Sequence, residues 1–286
     1  MKDVFILDGA IGSNLFARTK VTGQVWTLNM ENPEAVKTLY SDFVKAGSDF
    51  IGANTFTVNP FTIKETNYNM EEVIQTGINL AKEVVKGTNT KVCYDVGPLP
   101  DLLEPYGDLS VEDCKEINKQ MISAAVVSKP DAIFFETFTD LNMLCCALEV
   151  ASTFDLPIYC CLTFETHGKT MMGNSVADMV EKCSAYPITA LGLNCSSEAS
   201  TLFPILKEFR EKTNLPLIFK PNAGMPTLVD GKAVYNIDEK TFVETMKTVV
   251  KEGNIYVGGC CGTTPEMIAL IAKIVGDVFP VSDDKH

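Results

Sequence analysis

Short apolar runs alternate along this chain with longer stretches in which apolar residues recur every three or four positions. The runs fall at residues 4–7, 50–53, 91–96, 132–135, 157–163, 188–193, 217–220 and 255–257. Each has the length of a strand buried on both faces. Between them, residues 33–46 place Val36, Leu39, Tyr40 and Phe43 on one helical face. Residues 70–86 do the same with Val73, Ile74, Ile78, Leu80, Ala81 and Val84. Helical spacing returns over 110–128, 140–153, 175–186, 197–213, 238–252 and 265–275. Ser110-Val-Glu-Asp113 reads as a capping box, and Pro33 and Pro265 suit a first helical turn.

Eight strands alternating with eight helices predict an α/β fold, a (β/α)8 TIM barrel in a single domain. The domain is expected over residues 1–281, with 282–286 as a C-terminal tail. A doubly wound open sheet is the competing arrangement. What favours the barrel is the position of the unusual residues. Asp8-Gly9, Asn54-Thr55, Gly97-Pro98, Glu136, Thr163, Asn194-Cys195, Asn222 and Cys260-Cys261 all stand at or just past predicted strand ends. A barrel brings those ends to one face, whereas an open sheet separates its first and last strands.

The composition is that of a globular chain, with 46% hydrophobic and 21% charged residues. A net charge of −13 argues against non-specific nucleic-acid binding and against an anionic membrane surface. The sequence shows no apolar stretch of spanning length and no N-terminal signal peptide, so a cytoplasmic location is expected. Its 10 cysteines fit such a reducing compartment.

Most of those cysteines read as small buried hydrophobes. Cys145 and Cys146 lie in a helical stretch, Cys160 and Cys161 in an apolar run, and Cys93, Cys114 and Cys183 in packed elements. Cys195, Cys260 and Cys261 differ, because each stands where a strand ends and glycine permits a turn. Three thiolates are the ligand set of an open catalytic zinc site, in which a fourth position is left for substrate. Adjacent cysteines are poor disulfide partners, since the ring they close is strained. His167 is expected to be a solvated loop residue and His286 an irrelevant terminal one.

Six segments carry a resemblance. Asp8-Gly-Ala-Ile-Gly12, Ala53-Asn-Thr-Phe56, Glu136-Thr-Phe-Thr-Asp140, Gly192-Leu-Asn-Cys195, Lys220-Pro-Asn-Ala-Gly224 and Gly258-Gly-Cys-Cys-Gly-Thr-Thr-Pro265 look like the homocysteine S-methyltransferase family, in order and over nearly the whole chain. The last two most resemble the homocysteine-binding module of cobalamin-dependent methionine synthase. That resemblance implies a barrel with one catalytic Zn2+, which activates L-homocysteine as a thiolate for methylation to methionine. Asp8 and Glu136 would hold the substrate ammonium, and the Asn222 carbonyl would occupy the open metal position until substrate arrives. Backbone amides at Gly9 and Ala10 could receive the substrate carboxylate, since glycine turns form anion nests. Asn54 and Thr55 would shape the floor, with a structural role as the alternative.

A single barrel leaves no segment for a corrinoid domain. The expected methyl source is therefore a separate methylcorrinoid protein carrying methylcobalamin, itself served by a methyltetrahydrofolate-binding protein. A small donor such as S-methylmethionine is the enzymatic alternative, and a non-catalytic zinc-thiolate subunit docking on a corrinoid partner the non-enzymatic one. Two departures stand out. Many relatives carry Glu where this chain has Gly52, and His where it has Met267.

Overall fold

The computed structural model describes residues 4–280 apart from 65, 225, 230, 231 and 236. The predicted tail 282–286, including His286, lies outside the described residues. Eight parallel strands form the barrel: β1 (Val4–Ile6), β2 (Phe50–Gly52), β3 (Lys91–Val96), β4 (Ala132–Phe138), β5 (Ile158–Leu162), β6 (Ala190–Glu198), β7 (Leu217–Asn222) and, after a hairpin, β10 (Ile255–Val257). The hairpin pairs β8 (Pro226–Val229) with β9 (Lys232–Tyr235) in antiparallel register. Around the sheet the order is β1-β10-β7-β6-β5-β4-β3-β2. Asp49 closes the remaining seam, its amide donating to the Ile6 carbonyl while its carboxylate accepts the Ile6 amide. The predicted barrel is therefore the observed fold.

All eight predicted strands and eight predicted helices are present, with ends shifted by a few residues. The main shifts lie at the site. β4 runs on through Glu136 to Phe138, β6 continues past Cys195 to Glu198, and Asn222 is the last residue of β7. These residues belong to strands and not to the loops beyond them. Short helices at Ile11–Arg18, Leu28–Glu31 and Pro60–Ile63 and the β8–β9 hairpin have no counterpart in the apolar pattern. They are too brief to show a period. Ser110 caps its helix by accepting the Asp113 amide, but the Asp113 carboxylate takes the Ser110 hydroxyl and not its backbone amide, so only half of the expected capping box forms.

Strand periodicity sorts side chains between two cores. Val92, Tyr94 and Val96 point outward to the helices, as do Phe135 and Phe219. Cys93, Phe134, Tyr159, Cys161, Ile218 and Tyr256 fill the barrel interior. The lower interior is aromatic: the Phe5 ring stacks on Tyr256 at 4.9 Å, and Tyr159 meets Tyr256 edge-on at 5.1 Å. Two residues further along each strand, the same inward phase brings Asp95, Glu136 and Lys220 to the floor of a cavity at the C-terminal mouth. Active sites of barrels form at this end.

Candidate active site

The cavity encloses about 300 Å³. That is the small end of ligand pockets, suited to a molecule of amino-acid size. Sulfur lines one side, with Cys195, Cys260 and Cys261, and buried charge lines another, with Asp8, Asp95, Glu136 and Lys220.

The sulfur side depends on backbone that ordinary strands do not adopt. Cys195 and Ser196 have φ of 64° and 66°, and the β6–β7 register shifts between Asn194 and Glu198. Two consecutive left-handed residues without glycine cost energy, and such strain persists where surrounding contacts hold it. Asn194 is one such contact. Its carbonyl accepts the Thr137 amide at 2.8 Å, its amide donates to Thr137 Oγ1 at 2.8 Å, and that same nitrogen lies 3.7 Å from Cys260 Sγ. Thr137 is itself left-handed, at φ 66°. The sequence gives no hint of this stitch between β4 and β6.

The cysteine turn is tied to β7 on both sides. The Cys260 amide donates to the Pro221 carbonyl at 2.8 Å, and the Ala223 amide to the Cys261 carbonyl at 3.0 Å. Thr263 is fully buried beneath it and donates from Oγ1 to the Cys260 carbonyl at 2.6 Å. A side chain at Gly259 would place Cβ only 2.4 Å from Thr263, so the glycine preceding the cysteines is a packing requirement. Gly262 has φ 79°, and the Tyr235 ring lies directly on it.

The sulfur atoms of Cys195, Cys260 and Cys261 all lie within 4.8 Å of one another, with Cys195 and Cys261 at 4.0 Å. Tetrahedral zinc with Zn–S bonds of about 2.3 Å separates its sulfurs by roughly 3.8 Å, so the cluster fits a zinc ion. Without a metal the sulfurs compete for protons. Hydrogen bonds from Cys195 and Cys260 push the Cys261 thiol down to about 3, and bonds to the other two push Cys260 up. The Tyr235 hydroxyl adds another hydrogen bond to Cys261, while burial and that thiolate raise the phenol to about 12. Tyr235 comes from the hairpin, which is why the sequence did not reveal it. The other seven cysteines are free as well, and all but Cys145 are buried.

At the charged end, Lys220 occupies the centre. Its ammonium lies 2.8 Å from Glu136 and 3.4 Å from Asp8, and 5.0 Å from the Phe134 ring centroid. Burial works against its charge, but Glu136, Asp8 and Asp95 outweigh that and raise its pKa. Asp8 uses both oxygens, Oδ1 toward Lys220 and Oδ2 accepting the Gly52 amide at 2.7 Å. Burial raises the Glu136 carboxyl, and Lys220 opposes the shift. Asp95 is raised further, by burial first and by Glu136 second. Lys220 and Asp95 were passed over as site residues. Their signal lay in strand phase, since Ile218 and Cys93, two positions earlier, both face the interior.

The remaining expectations divide. Gly9, Ala10 and Asn54 line the cavity. The Ala10 amide is already committed, however, donating to Thr263. The unused donors nearby belong to the helix Ile11–Arg18, whose start carries no side-chain cap and whose residues Ile11, Gly12 and Ser13 line the cavity. Asn54 donates to the Val25 carbonyl and to Asn29, and Thr55 donates to the Asp95 carbonyl. Both therefore bind framework. Asn222 Oδ1 is buried with no hydrogen-bond partner on the strand beside the cysteine turn. His167 is exposed in its loop. Among the described residues, no helix is long and apolar enough to cross a membrane.

The chain resembles several known proteins along most of its length. It is 24% identical to methionine synthase of Mycobacterium tuberculosis over 96% of its own length and 25% of the relative's. The methionine synthase of Mycobacterium leprae matches equally, at 24% identity over 95% of this chain and 24% of that protein. The chain thus spans about a quarter of the length of these curated relatives. Among solved structures, the metallated form of the homocysteine methyltransferase MmuM from Escherichia coli superposes with a TM-score of 0.80 at 22% identity, covering 95% of this chain and 96% of that one. This likeness concerns the fold. Residues 5–275 match the family model described as homocysteine S-methyltransferase, and the chain belongs to that family.

Proposed function

We propose that this chain is a zinc-dependent thiol S-methyltransferase, which binds L-homocysteine and accepts a methyl group to form methionine. The observation that carries the reading is the placement of three clustered sulfurs and a buried carboxylate–lysine group in one small cavity. Family membership agrees with it. Cys195, Cys260 and Cys261 would hold the zinc ion, with Asn222 Oδ1 as a further oxygen donor on the adjoining strand. Zinc there supplies Lewis acidity that favours the deprotonated form of a thiol.

The protein's own groups orient the rest of the substrate. The uncapped start of the helix Ile11–Arg18 offers backbone amides and a positive dipole end to the substrate carboxylate. The acidic group at the floor attracts its ammonium. Tyr235 and Asn194 fix the sulfurs that would hold the metal. During transfer, the S–CH3 bond forms as the donor's bond to methyl breaks, and the electron pair stays with the donor. A methylcorrinoid protein, charged in turn by a methyltetrahydrofolate-binding protein, is the donor we favour. The likeness to methionine synthases supports this.

Zinc-edge X-ray absorption on the purified protein, with and without L-homocysteine, tests the acceptor half. Three sulfur ligands rising to four is the expected result, and a zinc-free protein after reducing reconstitution would refute the reading. Turnover with methylcobalamin and not with S-methylmethionine is expected for the donor half. The reverse preference would assign a small donor, and no turnover with either would leave a zinc-thiolate docking subunit.

A further inference from the structure

We propose that Asp95, and not only Asp8 and Glu136, is the acceptor for the substrate ammonium, entering the site through space left open by Gly52. This rests on the homocysteine reading above and specifies its amino-acid end. Three carboxylates face one lysine at the cavity floor. Asp8 has both oxygens engaged, and Glu136 is paired with Lys220. Asp95 is different: it is only 7% exposed, it lines the cavity, and its Oδ1 has no hydrogen-bond partner. A buried carboxylate oxygen without a donor is costly, and a ligand cation removes that cost.

Gly52 explains how Asp95 reaches this place. A Cβ built on Gly52 would lie 3.4 Å from Asp95 Oδ2 and 3.6 Å from Asp8 Oδ2, so it fits, but anything longer would drive into both carboxylates. The absence of a side chain on β2 therefore makes room for an acid on β3. The ledger of charge points the same way. Among the described residues, Lys220 is the one cation against three carboxylates and pairs with Asp8 and Glu136, so the floor is short of positive charge and a monocation entering beside Asp95 is favourable. The ligand class is a thiol bearing a primary ammonium.

The test compares zinc-loaded wild-type and Asp95→Asn proteins by titration calorimetry with L-homocysteine and with 4-mercaptobutanoate, which lacks the ammonium. Zinc content and melting are measured alongside. Asp95→Asn should weaken homocysteine by about 10- to 100-fold, the range for losing a hydrogen bond to a charged group, and leave 4-mercaptobutanoate within about 2-fold. Equal loss of both thiols, or of neither, overturns the inference and leaves the homocysteine reading standing. A wild-type zinc protein that binds neither thiol overturns both. Should Asp95→Asn not fold, Asp95→Ser is measured in its place. Weakening confined to homocysteine supports the subsite, and retained preference for homocysteine overturns it.

Discussion

The two ends of the cavity concentrate charge in different ways. At the sulfur end, three thiols crowd within 4.8 Å and share protons among themselves, with no cationic side chain hydrogen-bonded to them among the described residues. At the floor, Asp8 and Glu136 already hold a cation of their own in Lys220, with Asp95 lining the cavity beside them. On the proposed reading a divalent ion would complete the first cluster, while the second, with three carboxylates against one lysine, would take a further monovalent partner. The proposed function assigns a metal to one end of the cavity and an ammonium to the other, which a thiol-bearing amino acid would span.

Removing a sulfur should break this comparison most severely. Cys261→Ser is expected to abolish stoichiometric zinc and lower methyl transfer by at least ~10³-fold, because thiolate stabilisation by the metal is worth several kcal/mol. Metal analysis and turnover check this. At the floor the expected penalty falls on stability instead. Lys220→Met leaves buried carboxylates without their cation and should cost about 3–5 kcal/mol in urea denaturation. A loss below ~1 kcal/mol would show that the floor is neutral without its lysine.

Finer effects separate the supporting residues. Tyr235→Phe removes one hydrogen bond to Cys261 and should lower zinc affinity by roughly 10-fold, the lower end for a residue supporting a metal ligand. Competition with a chromophoric chelator reads it. The smallest effect concerns pH. Asp95 ionises at about 3.8 when unfolded and well above that when folded. Its contribution to stability is therefore fully present below the unfolded value and declines as pH rises through the folded one. Asp95→Asn should accordingly gain stability relative to wild type as pH rises above about 4, by at most ~1.4 kcal/mol per pH unit. Parallel pH profiles for the two proteins would place the pressure on Glu136 or on the cysteines instead.

Reading the apolar pattern located all eight strands, because strands buried on both faces must be continuous apolar runs. The sulfur cluster was legible too. Cys195, Cys260 and Cys261 stood out against seven other cysteines by their strand-end context alone. Asp8 and Glu136 were found, but their lysine was not. A lysine in the run Leu-Ile-Phe-Lys220 looks like the strand's polar end until its phase is compared with Ile218. Tyr235 and Asn194 were illegible for another reason. Both act across elements distant in sequence, and neither belongs to a periodic pattern.

What the sequence determined by itself is the set of local choices: alternating elements, helix caps, and thiols and acids on strands of one inward phase. Those follow from backbone periodicity and from the exclusion of apolar side chains from water. Only closure of the barrel decided which of these groups meet. Joining β1 to β2 and β10 brings Asp8 against Gly52 and Lys220, and the bent β6 turns Cys195 toward Cys261. Whether a buried acid is paired or left with an open acceptor depends on neighbours contributed by other strands. Asp95 came to lie against a glycine 43 positions earlier in the chain in that way, with one of its oxygens left unpartnered.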